Sequence, residues 1–393
     1  MSLAATTSNH RRLGLIAATI CTSAVGTTMG LVWPLLSLLL ARAQADGALI
    51  GFNSAAQTAA SLVIAPFAPR MFARWGMKRV IAACIIAILA ALFLLKFFED
   101  PRAWLAIRFV LGGGVVVLFI GTQTWVNRLA PDHARGRIIG LFGFLWAAAY
   151  ALGPLTLRVT GIEGWLPFAI AIGLVGLAGL PLLFVVDVLP DQSLAGGKRD
   201  LLAALLSFAS PAFVASMALG CFDSVNVSFL PLYGLRNGLS QVEAVSLLFV
   251  LEVGVLASQL PSGWASDRMD RDRLLTVLAA LALLASLMLP FGFERKLLLW
   301  PILFLLGGAA GAVWTVSLVL VGQLFQNDDL STASASRSVL YGIGSVIGPP
   351  VAGLAFDHWG RLSLPIVLST VCAGLLVSCL LLRRQGRGGR GTR

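Results

Sequence analysis

Long apolar runs recur along this chain at a regular rhythm, each about twenty residues long and each ended by glycine, proline or charge. A bilayer core about 30 Å thick is crossed by about 20 residues of α-helix. Twelve stretches meet that length, near 13–40, 48–69, 79–98, 103–126, 138–157, 164–186, 208–234, 241–262, 274–293, 297–323, 338–356 and 363–382. The pattern predicts an all-α membrane protein of twelve transmembrane helices. It also runs twice. Leu111-Gly112-Gly113 returns as Leu306-Gly307-Gly308 and Gly153-Pro154 as Gly348-Pro349, both 195 positions later.

The repeat predicts two pseudo-symmetric six-helix bundles, residues 1–186 and 208–382, the usual plan of a carrier with a site at the repeat interface. Between them the polar segment 187–207, with Pro190, Gly196, Gly197 and Lys198, reads as a cytoplasmic linker. Residues 383–393 form a basic tail rich in Gly and Arg, expected to be disordered beside anionic headgroups.

Composition supports the membrane assignment, since 58% hydrophobic and 12% charged residues exceed what soluble cores can hide. The net charge of +11 follows the alternating loops instead of gathering on a soluble domain, which argues against nucleic acid as a partner. With the amino terminus inside, 20 of the 29 Lys and Arg, Arg337 among them, fall on the cytoplasmic side. Both termini are thus expected in the cytoplasm, with the chain in a bacterial inner membrane.

Catalytic chemistry finds little support. His10, His133 and His358 lie apart, in terminal or loop positions, and the five cysteines sit in apolar stretches without metal-ligand spacing. No Gly-x-x-x-x-Gly-Lys-Ser/Thr loop is present, so direct ATP coupling is not expected, nor is a cofactor.

The informative polar residues lie inside the spans. Of 18 carboxylates only Asp223 and Glu252 fall well within apolar stretches. A charge at that depth costs several kcal/mol unless paired or hydrated, and low dielectric favours the neutral form of a carboxyl group. Either residue suits proton exchange; the alternative is a structural pair with an arginine or a hydroxyl. Asp223 shares a helical face with Gly220 and Asn226. Arg108 is the one basic residue deep in a span, needing an acid, an anion or water, unless it snorkels to the outer interface. Asn53, Gln57 and Ser61, at four-residue spacing, form a polar stripe that serves either a solute or helix packing. Gln123 and Asn127 make a similar pair, as apt for a helix end as for a site. Trp33, Trp314 and Tyr341 are candidates to wall an apolar or cationic cavity, or to pack.

After the eighth stretch the chain reads Gly263-Trp264-Ala265-Ser266-Asp267-Arg268-Met269-Asp270-Arg271. This resembles the Gly-x-x-x-Asp-Arg-x-Gly-Arg-Arg signature of the major facilitator superfamily, and is similar to its small bacterial YcaD-like branch. Arg108-x-x-x-Gly112-x-Gly114 resembles the fourth-span motif of proton-coupled members. Gly344-x-x-x-Gly348-Pro349-x-x-x-Gly353 resembles the helix-packing Gly/Pro motif of exporters, displaced to the eleventh span. The first-half loop departs from the signature: Pro69 stands where glycine is expected and Ala73 where the acid belongs.

The resemblance implies alternating access, with Asp267, Arg268 and Arg271 at a cytoplasmic gate facing Arg135 and Arg137; a solvated loop obeying the orientation rule is the alternative. It further implies that the seventh span, with Asp223, lines the cavity. The resulting expectation is a monomeric secondary transporter whose partners are a small organic solute, protons and the bilayer, tilted toward efflux. Rival readings are a facilitated uniporter, a nutrient or sugar importer, and a non-transporting membrane receptor.

Overall fold

The computed structural model describes residues 2–98, 100–131, 135–181, 210–324 and 328–388. Among them every regular element is helical. The helices are α1 (Ser2–Arg42), α2 (Gly47–Ile64), α3 (Ala68–Trp75), α4 (Met77–Phe97), α5 (Ala103–Leu129), α6 (Arg135–Thr160) and α7 (Leu166–Gly179). They continue as α8 (Pro211–Arg236), α9 (Gln241–Arg268), α10 (Arg271–Glu294), α11 (Lys296–Leu324), α12 (Asp328–Trp359) and α13 (Ser363–Gly388). Ten stretches of the described residues are long and apolar enough to cross a bilayer. One of them, Ser336–Leu381, runs through both α12 and α13, and Leu166–Gly179 is a shorter apolar helix.

Most helices outrun the apolar stretch that predicts them. Helix α9 continues through Asp267 and Arg268, and α12 begins at Asp328, ten residues before its apolar stretch. Backbone hydrogen bonding persists into the headgroup region and water, where hydropathy falls away. Helix α13 likewise carries Arg383–Gly388, which corrects the expectation of disorder for that part of the tail. Cations at a helix carboxyl end meet the negative pole of the helix dipole. The linker 187–207 and the last five residues lie outside the described residues.

Local chemistry places the breaks. Ser240 and Glu243 form a capping box at the start of α9: Glu243 N–H donates to Ser240 Oγ at 3.3 Å, and Ser240 N–H to Glu243 Oε2 at 2.8 Å. Asp270 caps α10 by accepting from the Arg273 N–H at 2.8 Å. Gly76, at φ 81°, separates α3 from α4 with a left-handed turn that a side chain would strain. The first-half loop therefore keeps its turn although it lacks the signature acid.

The chain divides into two compact units, residues 1–39 with 56–196 and residues 40–55 with 197–393. Helix α2 contributes its first part to the second unit and its remainder to the first. In the first unit Gly30 of α1 lies against Gly153 of α6, and Gly112 of α5 against the Gln57 carbonyl of α2. In the second, Gly220 of α8 meets the Tyr341 carbonyl of α12, Gly344 meets Met217, and Gly307 of α11 meets the Leu251 carbonyl of α9. Also in the second unit, Gly353 lies against Gly47, where Asp357 accepts from the Gly47 N–H at 2.8 Å and the Ala48 N–H at 3.0 Å. Small residues let helix backbones touch where no water exists to drive association. The 195-position repeat is therefore a repeat of helix crossings: Gly112 and Gly307 each sit on a carbonyl of the helix two spans earlier in their own half.

Candidate functional site

In the second unit the structure brings four side chains together. Asp223 lies midway along α8, and its Oδ2 accepts from the Tyr341 hydroxyl of α12 at 2.8 Å. The Tyr341 ring meets Trp314 of α11 edge-on, with centroids 5.6 Å apart and planes at 77°. The Trp314 ring carries the guanidinium of Arg337 3.8 Å from its centroid. Asp223 and Tyr341 are half-buried, and Arg337 is only 7% exposed. Glu252 of α9 is half-buried too, lies within electrostatic reach of Asp223 and makes no hydrogen bond among the described residues.

Neither carboxyl group has a lysine or arginine partner among the described residues. The hydroxyl alternative is the one present at Asp223. A lone ionised carboxylate in a span is expensive. Taking up a proton removes that cost and releasing it restores the charge, so the two groups have the chemistry of a reversible proton carrier. Asn226, one turn from Asp223, is buried; its amide donates to the Phe222 carbonyl at 2.8 Å and its Oδ1 accepts nothing from the described residues. Cys221, between Gly220 and Asp223 in sequence, packs its sulfur against Gly348, so the Gly/Pro segment lies along the helix that carries Asp223.

The polar centre of the first unit is different. Arg108, 2% exposed, donates from Nε to Gln57 Oε1 at 3.2 Å, while the Gln57 amide faces the Met29 sulfur at 3.7 Å. Such burial removes the snorkelling alternative, because a guanidinium reaching the interface would be exposed. Gln57 is thereby held between α1 and α5. Asn53, in the part of α2 that belongs to the second unit, is fully buried and donates to the Leu49 carbonyl at 3.2 Å; Ser61, in the first unit, donates to the Thr58 carbonyl at 2.6 Å. The offset that relates Gly112 to Gly307 also relates Gln57 to Glu252 and Arg108 to Leu303. One half pairs a neutral amide with a cation; the other has a carboxyl group and a leucine at the corresponding positions.

Replacing Gln57 with Leu leaves the buried guanidinium without its acceptor and should cost about 1–3 kcal/mol. Melting of the detergent-purified variant should therefore begin several degrees lower, with Arg108→Leu in the same background restoring part of the loss. Equal melting of Gln57→Leu and the parent would show that the bond contributes nothing.

The remaining candidates lie elsewhere. Trp33 pairs edge-on with Tyr150 at 6.0 Å in the first unit. Gln123 and Asn127 are exposed and joined by an amide-to-carbonyl bond of 2.9 Å. Gly263, Asp267 and Arg268 occupy the carboxyl end of α9, with Asp267 exposed and the Arg268 guanidinium over the Trp264 ring at 3.8 Å. Arg271 Nε donates to the Ser266 carbonyl at 2.9 Å. Arg137 is exposed, and the Arg135 side chain lies outside the described residues.

Arg337 is the residue that sequence reasoning misplaced. Its position just before an apolar stretch assigned it to a cytoplasmic loop, whereas the early start of α12 carries it inside. The usable signal was its four-residue spacing from Tyr341, which sets the two on one helical face.

The sequence profile described as Major Facilitator Superfamily matches residues 18–307 and 253–392. The chain is similar to the uncharacterized MFS-type transporter YfkF of Bacillus subtilis, 24% identical over 335 residues that cover 84% of this chain and 85% of that one. It is similar also to the uncharacterized MFS-type transporter YcaD of Salmonella typhimurium, 23% identical over 381 residues, covering 95% and 94%. Among solved structures the nucleoside transporter NupG superposes with a TM-score of 0.77 at 14% identity, over 96% of this chain and 98% of that one.

Proposed function

The chain belongs to the major facilitator superfamily, in its YcaD-like branch, and on that premise we propose that it is a proton-coupled secondary transporter of a small organic solute. Its spans number twelve in this reading, both termini face the cytoplasm, and the protein works by alternating access as a monomer in a bacterial inner membrane. The observation that carries the coupling is the pair Asp223 and Glu252, two carboxyl groups within spans and without basic partners among the described residues, one bonded to a tyrosine hydroxyl. Efflux is the direction favoured by the Gly344-Gly348-Pro349-Gly353 segment, by its resemblance to the exporters' motif.

The test follows internal pH in proteoliposomes while cationic, neutral and anionic solutes are added in turn. Proton movement that depends on one solute class is the expected result. Solute flux without proton movement would make the protein a uniporter, and absence of any flux across the panel would leave a receptor.

A further inference from the structure

We propose that Arg337 is an anion-binding site, and that the solute moved under the reading above is an organic anion whose carboxylate or phosphate group it takes. The guanidinium is enclosed, 7% exposed, and stands four residues before Tyr341, about 6 Å along α12 from the Asp223 level. Trp314 covers one of its faces. Among the described residues its Nε and Nη2 atoms have no hydrogen-bond partner and no carboxylate pairs with it; Asp223 is occupied by Tyr341.

Those two nitrogens lie on one edge of the guanidinium plane. Their N–H bonds run parallel, the two-pronged donor that matches two oxygens of a carboxylate or phosphate. A buried cation left without an anion is costly, and stacking on an indole offsets only part of that cost. The stacking does fix the plane, so the free edge is presented in one orientation before the anion arrives. Beside it Trp314 keeps 39% of its surface open, which suits an aromatic or apolar body attached to the anionic group.

A lipid phosphate has the same chemistry as a solute phosphate, but an arginine serving the lipid annulus stands exposed on the protein surface. Arg337 does not. The source is therefore assigned to solute.

The experiment measures melting of the full chain in detergent at constant ionic strength, with benzoate, phenyl phosphate, the neutral control benzamide, or phosphatidylglycerol added. Benzoate or phenyl phosphate should stabilise the wild type with saturation, and benzamide should not. Arg337→Gln should weaken the apparent affinity at least about tenfold, with Arg337→Lys, which keeps charge without the two-pronged edge, in between. No stabilisation of the wild type by either anion overturns the proposal, as does equal stabilisation of Arg337→Gln. Stabilisation that depends on Arg337 but comes from phosphatidylglycerol alone overturns the assignment to solute.

Should Arg337→Gln fail to fold, the wild type suffices. Phenylglyoxal modification at Arg337, followed by mass spectrometry, should be slowed by benzoate, and an unchanged rate refutes the site. Equilibrium binding needs no proton gradient, so a failure of proton coupling would leave these results standing, and the reverse also holds.

Discussion

Asp223→Asn should abolish solute-driven proton movement, by at least about a hundredfold, which corresponds to roughly 2.7 kcal/mol in the barrier of the coupled step. The substitution is close to isosteric. The amide oxygen still accepts from the Tyr341 hydroxyl, so the contact between α8 and α12 survives and the protein should still fold. The proton does not survive, because an amide cannot release and recover one in this pH range. Glu252→Gln is the companion variant. If it alone abolishes coupling, the carrier is Glu252 and Asp223 is a structural acceptor; if each variant lowers coupling, the proton is shared between neighbours. Retention of full coupling in both variants would sink the carboxyl mechanism altogether. Internal pH and solute uptake, read in the same proteoliposomes, separate loss of coupling from loss of transport.

The apolar rhythm placed the helices because crossing a bilayer leaves a chain little choice of length or backbone structure. The repeat anticipated the glycine crossings, since a backbone contact tolerates only glycine and so leaves a mark at a fixed offset. The rarity of charge in spans brought Asp223, Glu252 and Arg108 forward for a physical reason that needs no structure.

What the pattern could not carry was who meets whom. Gln57 reads as one member of a polar stripe, and only the crossing at Gly112 shows that it faces Arg108 instead of standing free. Trp314 and Tyr341 read alike with Trp33, yet Tyr341 bonds Asp223 and meets the Trp314 ring, while Trp33 packs on Tyr150 in the other unit. Arg337 was hidden for a different cause. Hydropathy marks where apolar surface begins, whereas the helix, held by its own hydrogen bonds, begins earlier. A basic residue in that interval is read as a loop although it faces inward.

Gly112→Leu should destabilise the first unit by about 2–6 kcal/mol, the overpacking cost added to that of leaving a buried guanidinium without its acceptor. A Cβ at Gly112 would collide with the Gln57 carbonyl oxygen and lie 2.9 Å from its carbon, so α2 and α5 must move apart. Overpacking alone costs about 1–3 kcal/mol, and here the separation also pulls Gln57 Oε1 from the Arg108 guanidinium. The repeat supplies a control. Gly307 sits on the Leu251 carbonyl in the same way, but its half has Leu303 where the first half has Arg108. Gly307→Leu should therefore show the overpacking cost without the stranded cation, and melt above Gly112→Leu. Gly143→Leu, where nothing lies within 4 Å of the added carbon, should fall within about 0.5 kcal/mol of the parent. Melting of the three purified variants in one detergent gives the comparison. Equal losses at Gly112 and Gly307 would mean that the bond between Gln57 and Arg108 adds nothing to the crossing. A larger loss at Gly112 would show that the crossing in the first half depends on a charge.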